Sequence, residues 1–206
     1  MRKRKTLRDL TIKDNFLFGA VMSVEENCKG FLEMVLGFPI AQVVVSKEKS
    51  IVYHPEYKGV RLDIYAEDEN HTHYNVEMQV KKKSALGKRS RYYHSQMVME
   101  ALASGEVYET LPDTVVIFVC DFDPFGEHLY CYTFGNECKE NKNVKLDDGS
   151  CTIFLSTKGE NEEKVPQELV RFLKFVTADL EESEGDFQDE LVKQFQAVSY
   201  THLTLP

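Results

Sequence analysis

Long apolar runs are missing from this sequence: none approaches the roughly 20 residues that a helix needs to cross a bilayer. The opening MRKRKTLRDL also lacks the apolar segment of a secretory leader. Cysteine is sparse. Its five occurrences (Cys28, Cys120, Cys131, Cys138 and Cys151) are odd in number and form no CxxC pair. That spacing points to thiols in a reducing compartment rather than a disulfide framework or a zinc site. There is no Walker loop, no GxSxG elbow, no dinucleotide fingerprint and no internal repeat. These absences predict a soluble cytoplasmic protein with no membrane partner.

What is present supports a folded domain. Hydrophobic residues make up 42% of the 206, with thirteen Phe and ten Tyr, enough to build a core. The net charge of −9 argues against a generic nucleic-acid binder, but it is unevenly spread. Residues 136–206 hold fifteen acids against eight bases, and the rest of the chain holds 19 against 17. Within that nearly neutral part, KKKSALGKRSR (Lys81 to Arg91) has six bases and no acid. Such a patch on an acidic protein can meet phosphates, or it can be a solvated face.

DNFLFGAVMS and NCKGFLEMVLG carry apolar residues at helical spacing, and Gly37 with Pro39 ends the second. AQVVVS reads as a short strand. VRLDIYAE and HYNVEMQV alternate with period two around DENHT, which predicts a β-hairpin. In the first strand Arg61, Asp63 and Tyr65 share a face; in the second Glu77, Gln79 and Lys81 do, while Val76, Met78 and Val80 turn to the core. SRYYHSQMVMEALASG has helical periodicity with a stop at Gly105, and TVVIFVCDF reads as a strand buried on both faces. HLYCYTF is another strand. NVKLDDGSCTIFLS suggests a hairpin around Asp148 and Gly149, and two helical stretches follow it. One mixed α/β domain is expected.

Asp63 and Glu77 are the candidate chemistry. On adjacent antiparallel strands their Cβ atoms would lie about 4.5–5.5 Å apart. Two carboxylates that close repel unless a cation joins them, and hard divalent cations take oxygen ligands. The same pattern also fits a hairpin with a merely wet outer face.

The stretch YKGVRLDIYAEDENHTHYNVEMQV, followed by KRSRYYHSQMVMEALASGEVYETLPDTVVIFVCDFDPFG, resembles the PD-(D/E)XK nuclease family transposases, also called recombination-promoting nucleases. The resemblance runs from about Leu10 to Asn136. It implies a restriction-endonuclease-like core, a central mixed sheet flanked by helices, that cuts DNA with Mg²⁺ or Mn²⁺ and is linked to recombination or mobile elements. Carried over by residue, Asp63 matches the motif's D as a metal ligand, and Glu77 and Gln79 match its E-x-(K/Q), with Glu77 the second ligand. Leu62 stands where the motif has proline, and Gln79 where the general motif has lysine. Gln79 can orient a water but supplies no positive charge. Lys81, on the same face, is the candidate replacement, and Lys82, Arg89, Arg91, Tyr93 and Gln96 are candidates for holding DNA. Many nucleases of this type act as homodimers, so a homodimer is a possible partner state. A binding module that kept the fold and lost the chemistry is the alternative.

Asp14 matches an acidic position early in the family but is read as a helix N-cap. His71 and His73 are read as exposed loop histidines, and DFDPF as a strand end and turn. The expected layout is a nuclease-like core over 1–135 and an extension of strands and acidic helices over 136–197. The final SYTHLTLP does not continue the amphipathic pattern before it. Residues 198–206 are therefore expected to be a non-native tail on a truncated chain.

Overall fold

The β-branched and aromatic run TVVIFVC forms β6 (Thr114–Cys120), every residue of which is buried. A strand with this composition survives only when both its faces are covered. The computed structural model covers them with helices, and it describes residues 11–52, 56, 58–102, 104–178 and 191–197. The segment 198–206 lies outside the described residues.

Among the described residues, eight strands and four longer helices precede a final helical segment. Helices α1 (Asn15–Met22) and α2 (Glu25–Leu36) come first, then β1 (Val43–Lys47), β2 (Ser50–Ile51), β3 (Val60–Arg61), β4 (Ile64–Asp68) and β5 (His73–Gln79). Helix α3 (Leu86–Ala101) leads into β6, followed by β7 (Cys131–Phe134), β8 (Ser150–Ser156) and α4 (Gln167–Thr177). Residues 191–197, α5, are helical as well. Six strands form one sheet in the order β1-β4-β5-β6-β8-β7, and β2 and β3 form a two-stranded ribbon of their own. The pairs β5–β6 and β6–β8 are parallel, and the other pairs in the large sheet are antiparallel. This is the expected central mixed sheet flanked by helices.

One face of the sheet, with Ile64, Val76, Ile117 and Leu155, packs against apolar residues of α1, α2, α4 and α5. The other, with Val116, Phe118 and Phe154, packs against Leu86, Tyr93 and Met97 of α3. Tyr93, Phe118 and Phe154 stack in sequence, with centroids 6.3 Å apart for the first pair and 4.9 Å for the second. Phe118 is fully buried in the middle of that stack. Phe118→Ala is expected to cost about 3–5 kcal/mol of unfolding free energy, read from urea denaturation.

Two elements differ from the sequence reading. The run VRLDIYAE does not form one strand: β3 pairs with β2 in the ribbon, and β4 begins at Ile64 in the large sheet. Asp63 sits at the crossing point. The second difference concerns residues 144–156. No hairpin forms at Asp148 and Gly149, because β8 pairs with β6 on one side and β7 on the other. The residues before the turn fold back instead, with a bridge between Glu137 and Lys145. The central sheet therefore draws strands from both sides of residue 135.

Asp14 caps α1, accepting the Phe16 backbone N–H at 3.1 Å. In DFDPF, Asp123 accepts the backbone N–H groups of Phe125 and His128 and the Tyr132 hydroxyl. Burial pushes its carboxyl up, but the Gly126 backbone N–H together with those donors outweighs it and holds the carboxyl at about 2. Its companion Asp121 is engaged by Lys13 at 3.3 Å and Lys158 at 3.8 Å. The motif is a strand end and turn.

Candidate active site

The period-two pattern of β5 places His73, Asn75, Glu77 and Gln79 on the side of the sheet that faces α3. That side is not wet. Asn75 and Glu77 are fully buried and Gln79 is 4% exposed, which rules out a solvated outer face. Burying a carboxylate is costly without partners, so the partners define the site.

The β4–β5 register pairs Ile64 with Val76 and Tyr65 with Asn75, which brings Asp63 opposite Glu77 just beyond the ladder. The Asp63 backbone N–H donates to Glu77 Oε1 at 3.3 Å. Asn75 Nδ2 donates to the same oxygen, also at 3.3 Å. The second oxygen, Oε2, accepts Arg89 Nη2 at 2.5 Å and the Tyr93 hydroxyl at 3.3 Å. Arg89 also donates Nη1 to Gln79 Oε1 at 3.1 Å and Nε to the Tyr93 hydroxyl. Arg89 and Tyr93 are four apart on α3, hence neighbours on its surface.

The electrostatics follow from this packing. Burial, reinforced by the negative charge of Asp63, pushes the Glu77 carboxyl up to about 7, against the opposing pull of Arg89. Burial also raises the Asp63 carboxyl; a Met78 backbone N–H and the charges of Arg89, Lys83 and Arg61 oppose it. The Tyr93 hydroxyl is pushed up by burial and by Glu77. The charge of Asp63 thus adds to the effect of burial at Glu77, and the Arg89 guanidinium opposes the rise at both carboxyls.

Of the residues singled out in the sequence, the fold brings together Asp63, Glu77, Gln79, Arg89 and Tyr93. Lys81 is elsewhere: β5 stops at Gln79, so Val80 is 40% exposed rather than core-facing, and Lys81 is exposed past the strand end. The lysine whose charge reaches Asp63 is Lys83. Lys82 and Arg91 are exposed. Gln96 is buried and lines a separate cavity with Ser50, Met99 and Glu100. It falls on the Arg89 stripe of α3, but about 10 Å farther along the axis. Asn75 and Lys83 were missed. Asn75 was legible in the alternation that picked out Glu77; nothing local marked Lys83 over its neighbours. His71 is an exposed loop residue beside Glu67, whereas His73 has a largely buried ring with Nδ1 unpartnered.

Among the described residues, no group of three or more His, Cys, Asp or Glu side chains converges to hold a metal. Two carboxylates are nonetheless enough for Mg²⁺, which keeps several waters and is bound by one or two carboxylates plus substrate phosphates. The donor set is all oxygen, and its two carboxylates outnumber the one guanidinium in direct contact with Glu77, so the pair fits such an ion.

The family model for PD-(D/E)XK nuclease family transposases matches residues 12–202. The chain belongs to that family. Comparison with curated proteins gives no match, and neither does comparison with solved structures. Membership agrees with the restriction-endonuclease-like fold seen in the mixed sheet, and it implies contact with DNA. Family members of this nuclease type generally use divalent metal ions. No helix among the described residues is long and apolar enough to cross a membrane.

Proposed function

We propose that the protein is a metal-dependent DNA endonuclease that hydrolyses phosphodiester bonds, linked to recombination or mobile elements. The observation that carries this reading is the pairing of buried Glu77 with Asp63 across β4 and β5, with Gln79 and Arg89 on the same side. Asp63 and Glu77 would hold Mg²⁺ or Mn²⁺. When bound, the ion polarises a phosphoryl oxygen and lowers the pKa of an attacking water. Gln79, with a carboxamide that both donates and accepts, orients that water. Arg89, hydrogen-bonded to both Glu77 and Gln79, would supply the positive charge that glutamine lacks and meet the phosphate. Lys83, rather than Lys81, adds long-range attraction at Asp63.

Lys81, Lys82, Lys83, Lys88 and Arg91 form no ion pair among the described residues, and all are exposed. An unpaired cationic stretch beside the carboxylates gives phosphates a path to the site. The test is nicking of supercoiled plasmid by purified protein. Mg²⁺ should support cleavage and EDTA should abolish it; cleavage that survives EDTA would overturn the metal-dependent reading. A second reading, a module that binds nucleic acid without cutting, is favoured by the Arg89–Glu77 pair, which already neutralises the carboxylate. Steeply salt-dependent DNA binding with no cutting under any divalent ion would select it.

A further inference from the structure

A second concavity lies on the α3 side of the sheet, displaced from β4–β5 toward β6, β8 and β7. Its volume is about 700 Å³, within the range of small-ligand sites. The floor is polar and tightly bonded. His94 Nδ1 meets Thr114 Oγ1 at 2.7 Å, His94 Nε2 meets Thr152 Oγ1 at 3.0 Å, and Ser90 Oγ meets Thr152 Oγ1 at 2.6 Å. Burial depresses His94 to about 4, so the imidazole is neutral near pH 7. The Thr114 hydroxyl uses only part of its hydrogen-bonding capacity on His94, leaving the rest for a ligand edge.

The wall is aromatic. Phe125 and Phe134 meet at 5.1 Å between centroids, and each packs against Phe154, at 5.1 Å and 5.8 Å. Phe154 is buried, but Phe125 and Phe134 are each 46% exposed, which leaves ring surface open to a partner. Arg91 borders the cavity and its side chain has no ion-pair partner among the described residues. Asp148, on the rim, is occupied by Asn136 and Ser150. Open ring surface on Phe125 and Phe134, hydroxyl groups on the floor and an unpaired guanidinium at the mouth match one class of ligand: a planar heterocycle with polar edges, attached to a phosphate.

We propose that this cavity holds a nucleobase turned out of the strand that the protein engages at Glu77. The proposal rests on the nuclease reading for its strand, and on the cavity alone for its base. Helix α3 serves both: Arg89 and Tyr93 face the carboxylates, while Ser90, Arg91 and His94 line the cavity. A strand running along this helix would meet the two in succession. Base–aromatic stacking is sequence-tolerant and directional, so one lost ring weakens binding on the order of tenfold.

The experiment uses a short single strand bearing one 5-iodouracil, in EDTA so that no cleavage occurs. Irradiation of the full chain is expected to attach the base to Phe125 or Phe134, located by mass spectrometry. Phe134→Ala should weaken strand binding about tenfold by fluorescence anisotropy. Phe134→Leu, which keeps apolar volume but loses the ring, should do the same and guards against an effect of unfolding. Cross-links confined to the Lys81–Lys88 segment, absence of strand binding, or affinity unchanged in both Phe134 variants would overturn the proposal. Cross-linking at Phe134 without plasmid cleavage would overturn only the nuclease reading, and cleavage without it only the cavity.

Discussion

Glu77→Ala is expected to reduce plasmid cleavage by at least about a hundredfold, and Asp63→Ala by a similar factor, in protein that remains folded. The magnitude follows from the loss of one of the two carboxylates that would hold the ion, and with it the positive charge set against the developing negative charge of the phosphate. Glu77 is suited to that role because its environment does not let water weaken it: the side chain is fully buried and four donors converge on its two oxygens. Initial nicking rates at fixed Mg²⁺ measure the loss, and a melting curve checks the fold. Rates that persist in both variants would remove the site from the chemistry. Glu77→Gln separates shape from charge, since it keeps the volume and loses only the anion.

Arg89→Met should have the largest effect on stability among the site variants. It deletes the one cation in direct contact with Glu77 and leaves a buried carboxylate unpaired. Removing one member of a buried pair typically costs about 3–5 kcal/mol. Because the Arg89 side chain is 30% exposed, solvent screens part of that, and about 3 kcal/mol is the expected deficit. The pH dependence has a definite sign. Glu77 in the fold binds its proton up to about 7, whereas an unfolded glutamate releases it near 4.3. The metal-free native state therefore holds more protons across that window and loses stability as pH rises through it. Without Arg89 the carboxyl moves higher still, so the loss extends to higher pH. Urea denaturation in EDTA should show a large Arg89→Met deficit at pH 8.5 and a small one at pH 5. A deficit independent of pH would mean that Arg89 acts by packing on Tyr93 alone. In Arg89→Met/Glu77→Gln the deficit should largely disappear.

The parts of this fold that could be read from the sequence are those with a short period. HYNVEMQV alternates and is a strand; TVVIFVC does not alternate and is a strand covered on both faces; Arg89 and Tyr93 are four apart and meet. Strand ends were less legible. Nothing in the alternation of VRLDIYAE says that it changes sheets at Leu62 and Asp63, because that break comes from pairing with Ser50 and Ile51. The same applies to Lys81, which has the right parity for Glu77's face but lies two residues beyond the end of the strand. Parity carries a direction only while the ladder continues. The hairpin expected at Asp148 failed for a related reason: Ser150 pairs with Thr114, a partner no local turn signal identifies. Asp63 and Glu77 were found because their pairing is local and antiparallel. The phenylalanine-walled cavity was not, because its lining comes from α3, β6, β7, β8 and the loops between them.

That contrast in sequence distance implies an order of assembly. The hydrogen bonds around Glu77 join residues 14, 12 and 16 apart, whereas those that tie α3 to β8 span 62 and 58. Short loops close before long ones, since closure entropy grows with separation. The carboxylate cluster can take shape as soon as one hairpin and one helix have formed, while the cavity beside it waits for β8. During refolding, ion binding at Glu77 should return ahead of strand affinity at Phe134. The interval between them would be a kinetic measure of when the last parallel strand docks.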